Sequence, residues 1–208
     1  MMKRTLGFLV SILMMFSLPT ACSKKQEEQR PSSAANPYTS ESVYAEVQKK
    51  IESNPRDPDL WYHLSELYDR NAQYKEEIEA LKKVIELKPD MGYAYFRLGT
   101  AYNRLGQHRE AVESFKKALK YMPDYPVAYN NLAIAYGKLG MTDEEISALK
   151  KAIALRPSYA TARYNLGVAY MKAGRKNEAM TMYRELKKSD EGMADALMKE
   201  IESHGRGK

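Results

Sequence analysis

One spacing governs this chain: the same set of residue types returns every 34 residues. Trp61-Leu64-Ser65-Tyr68, Tyr95-Leu98-Gly99-Tyr102, Tyr129-Leu132-Ala133-Tyr136 and Arg163-Leu166-Gly167-Tyr170 hold equivalent places, and Pro89, Pro123 and Pro157 follow the same step. A period of this length marks a supersecondary unit that cannot bury its apolar face alone and gains its core by stacking on its neighbours. A binding scaffold is therefore the first expectation.

Within each unit the aromatic, Leu, small residue and Tyr lie at steps of three, one and three, which align on one side of a helix at about 3.6 residues per turn. Gly106, Gly140 and Gly174 follow the first helix of the last three units and supply the left-handed backbone that ends a helix. A second amphipathic run comes next, as in Ala111-Phe115-Ala118 or Ile146-Leu149-Ala152. Each unit thus reads as two short antiparallel helices, with Leu98, Tyr102, Leu132 and Tyr136 buried between them. Asp90, Asp124 and Ser158, just after the prolines, are expected to cap the next first helix, and Thr142 with Glu145 has capping-box spacing.

These residues resemble the tetratricopeptide repeat, whose large residue, Leu, Gly or Ala, Tyr, Ala, aromatic, Ala and Pro are matched most fully by Tyr95, Leu98, Gly99, Tyr102, Ala111, Phe115, Ala118 and Pro123. The resemblance covers residues 41–204. It implies an all-α, right-handed α-solenoid of about four helix hairpins (58–91, 92–125, 126–159 and 160–190), preceded by a half-repeat helix over 41–57 and closed by a capping helix over 191–204. Val43, Tyr44, Val47 and Ile51 form the apolar side of the first of these, and Met193, Ala196, Leu197 and Ile201 that of the last. Two departures stand out. Glu77 and Glu145 replace the small Ala of the second helix, where neighbouring Ile78 and Ile146 supply apolar contact if that helix is slightly rotated, and Glu191 stands where the last unit lacks its closing Pro.

The N-terminus carries a different signal. Met1 to Arg4 are basic, Leu6 to Leu18 are apolar, and Thr20-Ala21-Cys22 precede an abrupt polar change. That run is shorter than the ~20 residues that cross a bilayer, so a cleaved export signal over 1–21 is expected. Cys22 is the only cysteine, which excludes an intrachain disulfide. The stretch resembles a bacterial lipoprotein signal, which implies lipidation of Cys22 and a membrane contact through an N-terminal lipid; Pro19 departs from the family's preferred Leu, and Leu18 lies one step further back. From 22 to 40 the chain is polar, with Pro31 and Pro37, and reads as a disordered tether.

No catalytic constellation emerges, so the chain reads as a non-enzyme without cofactor or metal. His63, His108 and His204 lack ligand spacing, and the glycines are single helix terminators rather than a phosphate loop. Glu76-Glu77 and Glu144-Glu145 open second helices, where acids favour the helix dipole. A formal net charge of +6 without a stacking module or concentrated basic run argues against nucleic acid.

The family's first helices line an inner groove, and the resemblance implies that a protein or peptide partner binds there. Carried onto this chain, the groove residues are Tyr62, Glu66 and Arg70; Tyr93, Phe96, Arg97, Thr100 and Arg104; Val127, Asn130, Asn131, Ile134 and Lys138; and Tyr164, Asn165, Val168 and Lys172. Arg70, Arg104, Lys138 and Lys172 are one period apart and form a basic ladder, with Tyr62, Phe96 and Tyr164 as an aromatic row beside it. Such a surface suits a peptide with apolar side chains and some acidic groups. Relatives that hold a C-terminal carboxylate use a particular Lys and Asn set, of which this chain has Asn131 and Arg97 without the remainder. The expectation is a membrane-tethered adaptor lipoprotein of the bacterial envelope that faces the periplasm or the outside and helps to assemble or localise a complex; the alternative is a non-catalytic accessory subunit of an envelope enzyme system, in cytochrome maturation or peptidoglycan remodelling.

Overall fold

The computed structural model describes residues 40–205. The expected export signal, Cys22 and all of the expected tether except Ser40 lie outside them. Ten α-helices follow in order among the described residues: α1 Ser40–Ser53, α2 Pro58–Arg70, α3 Tyr74–Leu87, α4 Gly92–Arg104, α5 His108–Tyr121, α6 Pro126–Lys138, α7 Thr142–Leu155, α8 Ala160–Lys172, α9 Lys176–Leu186 and α10 Glu191–Gly205. The chain is an α-solenoid in which α2 with α3, α4 with α5, α6 with α7 and α8 with α9 form hairpins, and each second helix packs on the first helix of the next hairpin.

The core sits at the helix crossings. Leu81, Phe115 and Leu149, one period apart, are fully buried, as are Val84, Ala118 and Ala152 one turn further along. Gly99 is small for a reason: a Cβ there would meet the Phe115 ring at 2.7 Å. Leu98, Leu132 and Tyr136 are buried as expected. Tyr102 is only half-buried, because it lies at the seam where two core clusters meet.

Both ends of the array are covered. Val47 and Ile51 of α1 are buried against Leu64, Leu67 and Ala80. The helix covers its amphipathic set but stops at Ser53, short of the expected bound at 57, because Asn54 precedes Pro55 and that position disfavours the helical backbone. At the other end α10 lies on α8 and α9. Ala194, Leu197 and Ile201 are buried there, and Leu197 fills the space left by Gly167, where a Cβ would sit 2.5 Å from it.

The expected caps are corrected. Helices α4, α6 and α8 have Met91, Tyr125 and Tyr159 at the N-cap position, without side-chain capping bonds, so Asp90, Asp124 and Ser158 fall one residue too early. Thr142 is the first helical residue of α7 rather than its cap. Among the described residues, carboxylates cap where the chain enters and leaves the regular repeats: Asp57 accepts from Asp59 N–H at 2.9 Å, and Asp190 from Met193 N–H at 3.0 Å.

The C-terminal turns follow the glycines. Gly106, Gly140 and Gly174 have φ of 75°, 74° and 72°, and Gln107, Met141 and Arg175 donate their N–H back to Tyr102, Tyr136 and Tyr170. In the first unit the same turn is made by Ala72 at φ 55°. A Cβ in this region clashes with the following carbonyl. Ala72→Gly is therefore expected to stabilise the array by about 0.5–1 kcal/mol, the relief of strain exceeding the added freedom of the unfolded chain; equilibrium denaturation of the two proteins checks it.

Candidate groove along the first helices

Helices α2, α4, α6 and α8 lie side by side, and their facing side chains touch across unit boundaries. In the first half these contacts are aromatic. Tyr93 bridges Tyr62 at 6.3 Å, Phe96 at 5.6 Å and Tyr125 at 6.4 Å between ring centroids. Phe96 meets Tyr125 edge-on at 5.1 Å and is anchored beneath by Phe115 at 5.9 Å. Tyr93 remains 43% exposed, so the patch offers a ring to solvent. Burial pushes the Tyr62 hydroxyl up to about 12, so it stays a neutral donor at physiological pH.

Tyr125 was not foreseen. It follows Pro123-Asp124 and reads as linker, yet it packs as the N-cap of α6. Tyr164 makes no ring contact with the patch among the described residues. Between them the row holds Asn130, which is 3% exposed and tied into an amide chain: Asn165 Nδ2 donates to Asn130 Oδ1 at 2.9 Å, and Asn130 Nδ2 to Asn131 Oδ1 at 3.3 Å. The amides divide the groove in two.

The two departing glutamates lie in the first turns of their helices, as the dipole reading has it, and they also make contacts between units. Glu77 and Glu145 are buried, at 2% and 6% exposure, and each receives a cation from the next unit. Arg97 Nη2 donates to Glu77 Oε1 at 3.0 Å and lies 3.1 Å from Asp69, and its Nη1 lies 3.7 Å from Glu66. Lys172 Nζ donates to Glu145 at 3.0 and 3.3 Å. Gly137 makes the second pair possible, because a Cβ there would lie 2.6 Å from the Glu145 carboxyl. Burial raises the Glu77 carboxyl above its ordinary range despite the guanidinium, and its Oε2 has no hydrogen-bond partner.

The basic ladder is consequently not uniform. Arg104 is paired with Asp69 and stacks 5.0 Å from the Tyr74 ring, while Lys172 is held by Glu145. Arg70 and Lys138 are exposed and have no ion-pair partner among the described residues. Beyond the amides, Ile134, Val168 and Tyr164 form apolar walls of a depression of about 440 Å³ that Lys138, Lys172 and Glu200 of α10 also line.

Shallow clefts of about 580 and 420 Å³ lie between paired helices away from this face, lined by the packing residues Tyr129, Leu132 and Tyr136 and by their counterparts Trp61, Leu64 and Tyr68. In the second unit Tyr121 stacks on Tyr95 at 5.8 Å, so these openings follow from how each hairpin fills its own edge. Among the described residues no group of three or more His, Cys, Asp or Glu is disposed to hold a metal, and no helix is long and apolar enough to cross a membrane.

The fold and this face define a class: a solenoid scaffold of helix hairpins presenting a continuous surface of first helices. Tetratricopeptide repeat models match residues 58–91, 99–140, 143–174 and 161–190. A PPR repeat model also matches 127–154, within the third hairpin. The chain belongs to the tetratricopeptide repeat family. The crystal structure of MamA is similar, with a TM-score of 0.71 at 24% identity over 75% of this chain and 91% of that one. A MamA fragment from Desulfovibrio magneticus RS-1 gives 0.70 at 19% identity, covering 73% and 86%. YrrB, described as a tetratricopeptide protein with an unusual peptide-binding site, gives 0.70 at 22% identity, covering 77% and 84%. No curated protein matches significantly.

Proposed function

We propose that this protein is an exported, lipid-anchored adaptor that holds a segment of a protein partner along its first helices and thereby helps to assemble or localise a complex of the bacterial envelope. The exposed aromatic patch around Tyr93 carries the binding part of this reading, since a contiguous set of rings left open to solvent on a rigid scaffold is what a docking site requires. The work done is binding rather than chemistry. Among the described residues the buried carboxylates, Glu77 and Glu145, are each held by a structural cation from the next unit. The peptide-binding site named for YrrB supports the same use of the fold.

The anchoring part rests on the short apolar run before Cys22. An acylated Cys22 with two or more chains would give stable membrane residence, which a single chain does not. Cys22→Ser is expected to move the protein from the membrane to the soluble fraction or to leave an unprocessed precursor. Mass spectrometry of the native N-terminus tests it: an acylated Cys22 as first residue is expected, and a mature chain that begins elsewhere without an acyl group would remove the anchor from this reading.

A further inference from the structure

The last interface of the array is built from different residues than those before it. Ile78, Val112 and Ile146 stand one period apart and are all buried. The buried members of the Ile78 cluster come from α3 and α4 alone, so this position faces the first helix of the next hairpin. In the fourth hairpin the position is Met180, and α10 stands where the next first helix would. Met171 is the counterpart of Asp69, which holds Arg97 and Arg104 of the following hairpin, so it faces α10 as well. On α10 the buried strip Ala194-Leu197-Ile201 is flanked on one side by Met193 and on the other by Met198, each four residues from a member of the strip.

These four methionines are partly open to solvent. A β-branched side chain is stiff at its first torsion, whereas the unbranched thioether adapts to its surroundings and is open to oxidation. Met182 is not one of the set, because it stands where Ala80 and Ala148 line the outer clefts of their own hairpins. We propose that the α10 contact is a modification site for an oxidant of the hydroperoxide class, and that conversion of Met171, Met180, Met193 and Met198 to sulfoxides releases the cap. In each event the thioether sulfur attacks one peroxide oxygen and the O–O bond breaks, leaving a sulfoxide and water or an alcohol. The sulfur loses two electrons and the peroxide gains them. The added oxygen is polar and meets the apolar strip of α10 without a hydrogen-bond partner there. Release withdraws Leu197 from the space over Gly167 and Glu200 from the end of the groove. The inner interfaces hold, because Ile78, Val112 and Ile146 do not oxidise.

The test treats the full chain with hydrogen peroxide, maps sulfoxides by peptide mass spectrometry and follows backbone hydrogen exchange. Met141, which is exposed, and Met182 are the internal controls. Oxidation of the four is expected to speed exchange of the α10 amides about tenfold or more and to leave α2 to α7 unchanged, since an unpaired polar group in an apolar contact shifts a local opening by that factor. Methionine sulfoxide reductases with a thiol reductant are expected to restore slow exchange, which tests the parent chain without any substitution. A chain with Met171→Leu, Met180→Leu, Met193→Leu and Met198→Leu, a volume-conserving set, is expected to stay closed although Met141 and Met182 still oxidise. Sulfoxide at the four sites with unchanged α10 exchange overturns the proposal. So do four sites that resist peroxide while Met141 is converted, faster exchange throughout the array, an opening that reduction does not reverse, or equal opening in the Leu variant.

Discussion

Phe115→Ala is expected to cost about 3–5 kcal/mol and to lower the melting midpoint by roughly 10 °C. The ring is fully buried in the second hairpin and packs on Gly99, which has no side chain to collapse into the cavity. It also supports Phe96 from below at 5.9 Å, so the aromatic patch loses its floor with the same substitution. Position magnifies the effect. In a stacked array each hairpin is stabilised only by its neighbours, so a defect in the middle weakens two interfaces where a terminal one weakens one. Far-ultraviolet circular dichroism during heating reads this, and a midpoint unchanged from the parent would mean that the hairpin register is wrong.

Arg97→Ala is expected to cost about 3–5 kcal/mol near neutral pH, because it removes the guanidinium bonded to Glu77 and leaves that buried carboxyl beside Asp69 and Glu66, with Arg104 acting on it only from its place on Asp69. The pH dependence follows from Glu77. Burial raises its folded-state affinity for a proton above the ordinary carboxylate value of 4.5, so its contribution to stability is fully present below that value and is lost as pH rises through the raised folded value. Removing Arg97 raises the folded value further. The deficit of the variant should therefore be small in acid and grow as pH rises above 4.5. Adding Glu77→Gln to Arg97→Ala should recover part of the loss at neutral pH, since a neutral amide is easier to bury. Urea unfolding of the four proteins of this cycle at several pH values measures both statements. A deficit that does not vary with pH would show that the loss comes from packing of the Arg97 stem.

Much of this was legible in the chain because the repeat's signals are local. The prolines mark unit ends, the glycines at positive φ mark the turns, and the steps of three and four place Leu98, Leu132 and Tyr136 on the buried side. Ala72 shows how far that holds: the turn keeps its left-handed geometry without glycine, because the packing on either side dictates it. The helix starts were harder. Asp90 and Asp124 look like caps in sequence, but Met91 and Tyr125 pack there and push the helix one residue on.

What sequence hid was pairing between units. Two acids at the start of a helix look the same whether they answer the helix dipole or a cation on the following hairpin. Glu77 finds Arg97 and Glu145 finds Lys172 only after the hairpins stack. The same stacking divides the ladder: of four cations at equal spacing in sequence, two are ion-paired and two have no ion-pair partner among the described residues. Tyr125 escaped notice because it stands in a connection and no periodic motif claims it, yet it completes the aromatic patch. Asn130 and Asn165, taken singly as groove residues, prove to be one hydrogen-bonded chain with Asn131 that separates the aromatic half from the aliphatic half.

The central claim is that partners are held along the first helices. A photoreactive phenylalanine analogue placed at Tyr93, in the full chain produced in its own cells, tests it most directly when compared with the same group at Tyr121. The two sites are matched in exposure, at 43% and 41%, but Tyr93 lies on the first-helix face and Tyr121 on the second helix of its hairpin. Irradiation followed by mass spectrometry is predicted to yield one dominant cross-linked protein from Tyr93 and none of it from Tyr121. The same protein captured from Tyr121 and not from Tyr93 would contradict the account and make the outer helices the working surface.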